Sequence, residues 1–141
     1  MQGNAQSNRK YLLAVVPAAH VADVTSSAQE VRGFTECDVL LPAGVSVLTA
    51  STVVKVTECE TSGGTYTDVP GAVFPAIVLA TDNDIHLGRI QMQGRMRYFK
   101  VVVDYTGNGS TEIAPLCVIL ALSGPRDSAL CAQTYDFNVQ G

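Results

Sequence analysis

The residues that could carry catalysis in this chain are few and far apart. Two histidines, His20 and His86, are the only candidates for the general base that a serine or cysteine nucleophile needs. Neither lies in a Gly-x-Ser-x-Gly turn or a comparable signature, so both are expected to be ordinary loop or strand residues. We therefore predict no catalytic residue and no enzymatic activity.

Paired acids suggest two further kinds of site. Asp82-Asn83-Asp84 resembles the start of a calcium loop, and these acids with Glu58 and Glu60 are the carboxylates available for glycoside hydrolysis. The same triplet is also what a tight turn prefers, because Asp and Asn side chains bond to their own backbone. No Glu follows at the distance that a calcium loop requires. The turn is the favoured interpretation, and we predict no metal ion and no cofactor.

Two glycine-rich segments, 62–65 and 106–110, invite comparison with phosphate-binding loops. Both lack the lysine of a P-loop, and neither precedes a predicted helix. Gly107-Asn108-Gly109 instead supplies the positive φ angles of a hairpin turn. A hairpin is therefore the favoured interpretation of the second segment.

The four cysteines do not form a recognisable metal or disulfide pattern. They are separated by 22, 58 and 14 residues, which is not the Cys-x-x-Cys spacing of a zinc site, and four are too few for a disulfide scaffold. Cys37 and Cys117 fall on predicted core faces and are expected to be free packing residues. Cys59 is expected to point outward near a hairpin tip, and Cys131 lies towards the C-terminus.

Composition argues against two classes of partner. The net charge is −4, with 9 basic residues against 13 acidic ones, and the chain has no Trp. A nucleic-acid-binding protein needs cations to contact the phosphates and aromatic rings to stack on the bases, so this composition is poorly suited to that role. No run approaches the roughly 20 apolar residues that span a bilayer, and residues 1–8 lack the apolar segment of a signal peptide. We therefore expect neither nucleic acid nor a membrane as partner, and synthesis in the cytosol. A charged share of 16%, against a usual value of about 25%, favours a subunit of an assembly.

Short β-strands separated by turn residues dominate the pattern of the chain. This spacing predicts a single all-β domain over residues 1–141, an antiparallel β-sandwich of jelly-roll-like form, with a short N-terminal arm (1–10) and a C-terminal arm (124–141). Residues 21–31 allow at most a turn or two of helix. The predicted strands are Tyr11–Val16, Cys37–Leu41, Thr52–Glu58, Ala76–Ala80, Ile85–Gln91, Arg97–Tyr105 and Ile113–Leu122.

Alternation along these strands predicts which side chains are buried. Val54 and Val56 share a core face, whereas Lys55 and its neighbours at alternate positions should face outward. Residues 97–105 place Phe99 and every second residue after it on one side. The segment Leu116–Leu122 is apolar on both sides, which predicts a central strand that is covered twice.

Two features suggest contact with a partner. Four of the nine basic residues fall within twelve positions, and they form either a solvated face or an electropositive stripe that meets an acidic surface; they are Arg89, Arg95, Arg97 and Lys100. The C-terminal arm contains apolar residues that are costly to leave in water, so we expect it to dock on its own domain or on a neighbour; they include Leu130, Tyr135 and Phe137.

Several segments together resemble one family. Residues 58–69 (ECETSGGTYTDV) resemble a hairpin of small tailed-phage structural proteins, and residues 97–103 (RYFKVVV) resemble one of their strands. The segments TGNGS at 106–110, GPR at 124–126 and EVRGF at 30–34 continue the likeness. The turn after Glu58 carries Cys and Glu where that family usually has Asp-rich residues. Over about two thirds of its length the chain thus resembles the capsid decoration (cement) proteins of tailed bacteriophages.

That resemblance implies a structural virion protein on the outside of an icosahedral capsid, made in the host cytoplasm. It would form homotrimers and bridge neighbouring major capsid subunits, so that its partners are the major capsid protein and copies of itself. The contact residues would come from the basic cluster and the C-terminal arm. The resemblance also suggests a second interpretation of two cysteines, Cys59 and Cys131, as disulfides between subunits.

Two alternatives remain open from the sequence. One is another phage head–tail or tail accessory structural protein. The other is a carbohydrate- or receptor-binding β-sandwich module, against which the absence of Trp argues because sugar platforms favour exposed aromatic rings.

Overall fold

Nine β-strands and no helix make up the described part of the chain in this computed structural model, which describes residues 9–47, 51–78, 81–105 and 114–125. Accordingly, the described residues contain no helix able to cross a bilayer. The strands are β1 (Arg9–His20), β2 (Val24–Thr25), β3 (Gln29–Glu30), β4 (Glu36–Ala43), β5 (Val53–Cys59), β6 (Thr67–Val73), β7 (Asp84–Gln91), β8 (Tyr98–Asp104) and β9 (Ala114–Ser123).

The strands form two antiparallel sheets. Sheet A has the order β1-β9-β4-β7, and sheet B has the order β2-β8-β5-β6, with β3 also paired to β8. Because β2 and β3 pair with the same strand, they act as one interrupted edge strand. With β2 and β3 counted together, the eight strands divide four and four between the two sheets in the strand order of a jelly roll. The predicted all-β, jelly-roll-like sandwich is confirmed.

The core lies between the inner faces of the two sheets. Val54 and Val56 from β5 and Phe99 from β8 are 2% exposed or less, as the alternation of their strands predicts. The inner residues of β4 and β9 pack against them from sheet A. Truncation of Phe99 to Ala would cost about 3–5 kcal/mol of folding free energy, since the ring is fully buried.

The strand β6 was not predicted, and its sequence shows why. It contains Pro70 and Gly71, which are typical of a break between strands. Here β6 is an edge strand, and its register with β5 shifts between Lys55 and Thr57, so Pro70 and Gly71 (φ 77°) are accommodated at a bulge.

Two other expectations differ from the structure. Residues 76–78 form only an isolated bridge from Ile77 to Thr52 rather than a strand, and residues 79–80 lie outside the described residues. The segment 21–31 contains β2 and β3 and no helical turn.

The two terminal arms fall largely outside the described residues. Strand β1 begins at Arg9, inside the range 1–10 that we assigned to the N-terminal arm. Of the C-terminal arm, only Gly124 and Pro125 are described. The hairpin predicted at Gly107-Asn108-Gly109 also lies outside the described residues.

Candidate interaction surface

The outer face of sheet A carries an apolar row that runs across all four strands. Leu13 on β1 lies opposite Ile119 on β9, which lies opposite Leu40 on β4, and Leu40 in turn pairs with Leu87 on β7. Leu13 and Leu87 are 51% and 71% exposed, whereas the two central side chains are half-buried by their neighbours. The described residues therefore leave this row open to solvent.

The apolar surface continues beyond this row towards one end of the sheet. Ile85 on β7, 60% exposed, pairs with Pro42 on β4, and Val16 on β1 is also 60% exposed. A shallow depression there is lined in part by Pro17, Pro42, Ile85, Pro115 and Cys117. Isolated exposed apolar residues are common on protein surfaces, but a contiguous group of this kind is a candidate interaction site.

Charged residues occupy the opposite end of the same face. Arg89 donates to Asp38 over 2.7 Å (Nε to Oδ1), and its Nε lies 3.5 Å from Glu36 Oε2. The hydrogen bond from Arg89, with the guanidinium charge, lowers the pKa of the Asp38 carboxyl, and the same hydrogen bond, with the carboxylate charges of Asp38 and Glu36, raises the pKa of Arg89. The outer face thus has an apolar half and a half whose charges are internally paired.

The outer face of sheet B is mainly polar, and its only strongly exposed large apolar side chain among the described residues is Val73, which pairs with Lys55. Lys55 Nζ lies 2.9 Å from the Asp68 carboxylate, and the ammonium of Lys100 lies 4.5 Å from the centre of the Tyr66 ring. Thr25 is exposed at the edge of the same face. The two outer faces of the sandwich therefore differ sharply, and only sheet A presents a broad apolar surface among the described residues.

The structure does not bring the predicted basic stripe together. Arg89 lies on sheet A, whereas Lys100 and Arg97 belong to the sheet B side, where Arg97 donates to Glu30 over 2.8 Å (Nη2 to Oε1). Arg95, in the loop between β7 and β8, pairs with Glu58. Each cation faces a carboxylate or a ring, so these residues do not form a continuous electropositive surface, and the solvated-face interpretation fits them better.

The pair Glu58–Arg95 holds the β7–β8 loop against the end of the sandwich. Glu58 is 5% exposed and accepts two hydrogen bonds of 3.2 Å, one from Arg95 Nη1 and one from the backbone N–H of Met96. A cleft of about 780 Å³ lies beside this loop, lined in part by Arg32, Phe34 and Gln93. Sequence reasoning missed the pair because its members are 37 residues apart and no local pattern links them.

Asp82 and Asn83 of the acidic triplet lie in the turn before β7, and Asp84 is the first residue of that strand. Asp82 accepts hydrogen bonds from the backbone N–H (2.7 Å) and the hydroxyl (2.8 Å) of Ser46, and these bonds lower the pKa of Asp82. Asn83 takes the positive φ of 51° that Asn tolerates in turns. No group of three potential metal ligands occurs within the described ranges. The carboxylate of Asp82 thus ties the 44–47 loop to this turn.

The two histidines have structural contacts with backbone carbonyls. His20 is buried, with its Nε2 3.2 Å from the Leu116 carbonyl oxygen, and His86 places its Nε2 2.9 Å from that of Thr81. They lie on different strands, β1 and β7, at the two edges of sheet A. The structure shows no hydrogen bond from either ring to a serine, cysteine or acid among the described residues.

The cysteines only partly match the prediction. Cys37 is buried, and desolvation raises the pKa of its thiol to about 12. Cys117 was expected in the core, but it is half-buried on the outer face of sheet A. Cys59 was expected to point outward, but it is 8% exposed because the following turn folds over it, with Thr61 Oγ1 3.8 Å from its sulfur. The disulfide predicted between Cys59 and Cys131 would require that turn to open.

The remaining predicted contact residues, Leu130, Tyr135 and Phe137, lie outside the described residues, as does Cys131. Their role in partner binding stays a prediction.

Comparisons with known proteins give fold-level likenesses only. No family model and no curated protein matches the chain. A solved structure of infectious bursal disease virus, Gx strain, matches with a TM-score of 0.49 and 13% identity over 82% of this chain, which spans 31% of that chain. The coat protein of Tobacco streak virus matches with a TM-score of 0.39 and 11% identity over 94% of this chain and 96% of that one. Both scores are low, so the jelly-roll assignment depends on the strand order itself.

Proposed function

We propose that this protein is a non-enzymatic structural subunit of a virion, and that it decorates and stabilises a tailed-phage capsid by bridging neighbouring major capsid subunits. The observation that carries the proposal is the exposed apolar row across the outer face of sheet A. A face of this kind is costly in water and becomes favourable when it packs on another protein.

The difference between the two outer faces gives the proposal an orientation. Sheet A would lie on the capsid, with its apolar half at the centre of the contact and the Asp38–Arg89 end at the rim, as in other interfaces with an apolar core and a polar rim. Sheet B, whose charges are already paired, would face the solvent outside the capsid.

The jelly roll is consistent with this role, because viral capsid domains use it, although lectins and cupins use it as well. Trimers at threefold positions would let three weak contacts act together, and multivalency then stabilises attachment without a tight single interface. The segments that resemble decoration proteins, 58–69 and 97–103, fall on the hairpin of β5 and β6 and on β8.

Electron microscopy of the native particle would test the proposal. We expect density for this protein on the capsid exterior, as trimers, with sheet A towards the major capsid protein. Density in a neck or tail would instead favour a head–tail accessory role. A protein absent from the particle would contradict a virion function altogether.

A further inference from the structure

Three of the four edge strands that the structure describes have features that oppose pairing with a further strand. Strand β1 contains Pro17 and shifts its register against β9, and strand β6 contains Pro70 and a bulge. The edge made by β2 and β3 is broken into two pieces of two residues each. Prolines, bulges and very short strands are means by which proteins protect a sheet edge from another chain. The fourth edge strand, β7, has none of these features.

Strand β7 is regular over its whole length. Its eight residues pair with β4 in an unbroken register from Asp84 to Gln91. No strand among the described residues pairs with its other side. Its side chains Ile85 and Leu87 are 60% and 71% exposed, and Leu87 is the most exposed large apolar residue in the described part of the chain. A long, regular and apolar edge of this kind is a template for a further strand.

We propose that β7 pairs with β7 of a second copy of this chain, antiparallel and about a twofold axis at Leu87. The four strands of sheet A from each copy then form one continuous sheet. A twofold axis perpendicular to the sheet makes two identical strands antiparallel and keeps both outer faces on the same side. The inference does not rest on the proposed function. It is compatible with the trimers proposed above, because a twofold contact would join subunits of neighbouring trimers.

The pairing of β4 identifies the backbone groups that face the open edge of β7. The N–H of Gly44, directly after β4, donates to the carbonyl of Pro115 on β9 over 2.8 Å. Backbone groups alternate between the two neighbours of an antiparallel strand, so the odd-numbered residues of β4 point to β7. Their partners are the even-numbered residues of β7. The backbone N–H and C=O groups of Leu87 and Arg89 therefore point away from β4, towards the open edge.

The side chains of β7 favour an axis at Leu87. In this register Leu87 lies opposite Leu87 of the second copy, and the two residues exchange both of their backbone hydrogen bonds. The N–H of Arg89 meets the carbonyl of Ile85, whose own N–H already donates to the Asp84 carboxylate over 2.8 Å. The two Arg89 side chains are then separated by four residues, roughly 14 Å along the strand. An axis at Arg89 would instead place like charges directly opposite each other.

A second copy would also cover a gap in the wall of the domain. Between β6 and β7 a cavity of about 120 Å³ reaches the buried side chains of Val39 and Val56. Gly88 lies beside this cavity, and the Phe74 ring is 3.5 Å from the position that a Cβ on Gly88 would take. In the proposed register Gly88 lies opposite His86 of the second copy, so its missing side chain leaves room for the imidazole. Pairing along β7 would thus close the cavity mouth without crowding.

Cysteine cross-linking of the full-length chain tests the register. In a hydrogen-bonded antiparallel pair the Cα atoms lie about 5.5 Å apart, a distance that a disulfide spans. Leu87→Cys should therefore give a disulfide-linked dimer under mild oxidation, and peptide mapping should find the bond between the two copies of residue 87. Ile85→Cys is the matched control, because the two copies of residue 85 would lie roughly 14 Å apart along the strand. The absence of the 87–87 bond, or equal linkage through residue 85, would overturn the proposal.

The molar mass in solution distinguishes this edge from the outer face of sheet A. Leu87→Lys would place two like charges on the twofold axis, so light scattering should show half the molar mass of the wild type. Leu13→Lys changes an exposed leucine of the same face at the opposite edge, and it should keep the wild-type mass. Equal loss in both variants would assign the association to the face of sheet A. An unchanged mass in Leu87→Lys would show that copies do not share β7; either result overturns the proposal.

Discussion

Truncation of Leu87 to Ala separates the assembly role of the sheet A face from the stability of the domain. Leu87 is 71% exposed, so its loss should change the free energy of unfolding of the isolated domain by no more than about 0.5 kcal/mol. In the proposed assembly the same side chain would become buried. Removal of three carbons at about 0.8 kcal/mol each, scaled by the exposed fraction, weakens the contact by about 1.7 kcal/mol.

That loss corresponds to a rise of roughly fifteen- to twentyfold in the dissociation constant. The assay is a titration of labelled protein against capsids that lack it, with urea denaturation of the free protein in parallel. Thr25→Ala, on the polar outer face of sheet B, is the matched control and should bind like the wild type. Unaltered binding of Leu87→Ala, or equal weakening by Thr25→Ala, would refute the assignment of the interface to sheet A.

Three further predictions concern the domain itself. Glu58→Ala should lower the free energy of unfolding by about 3–5 kcal/mol, since it leaves a guanidinium and a backbone N–H without their buried acceptor; an unchanged urea midpoint would contradict this. At neutral pH, maleimide should modify Cys117 faster than Cys37, whose thiol is buried and has a raised pKa; peptide mapping that finds the reverse order would contradict the burial. Asp82 has a lowered pKa, so the stability from its bonds to Ser46 is present above the ordinary value of 3.8 and lost as pH falls below it. The difference in Tm between wild type and Asp82→Asn should therefore shrink on acidification, and a constant difference would count against these bonds.

The strands that could be predicted are those whose burial follows a period of two. In β5 and β8, Val54, Val56 and Phe99 alternate with polar or half-buried residues, and that pattern alone fixes the inner face. Strand β6 could not be predicted, because Pro70 and Gly71 are compatible with a strand only at an edge with a bulge. Whether a strand is central or at an edge depends on the order of the strands in the sheet, and a local sequence pattern does not reveal that order.

The candidate interaction surface could not be predicted from the sequence for a related reason. Exposed apolar residues such as Leu13 and Leu87 are of the same residue types as those in the core, so residue type alone cannot distinguish an exposed position from a buried one. Glu58 shows the opposite case, a charged residue that is buried. In the sequence an acid next to Cys59 suggests a solvent-exposed hairpin tip, but its partner Arg95 comes from a distant loop. Both become visible only when the register places strands from different parts of the chain side by side.

The central strand β9 connects the sequence pattern to the proposed function. Its second apolar side was predicted to be covered by a further layer, but in the described two-layer sandwich Cys117 and Ile119 face outward and are only half-buried. A strand in a two-layer fold needs one apolar side for folding, and a second apolar side that stays partly exposed contributes less to the stability of the isolated domain. The pairing of Ile119 with Leu13 and Leu40 extends that second side across the sheet. Under the proposed function a partner would supply the layer that was predicted above β9, and assembly would then account for a strand that is apolar on both sides.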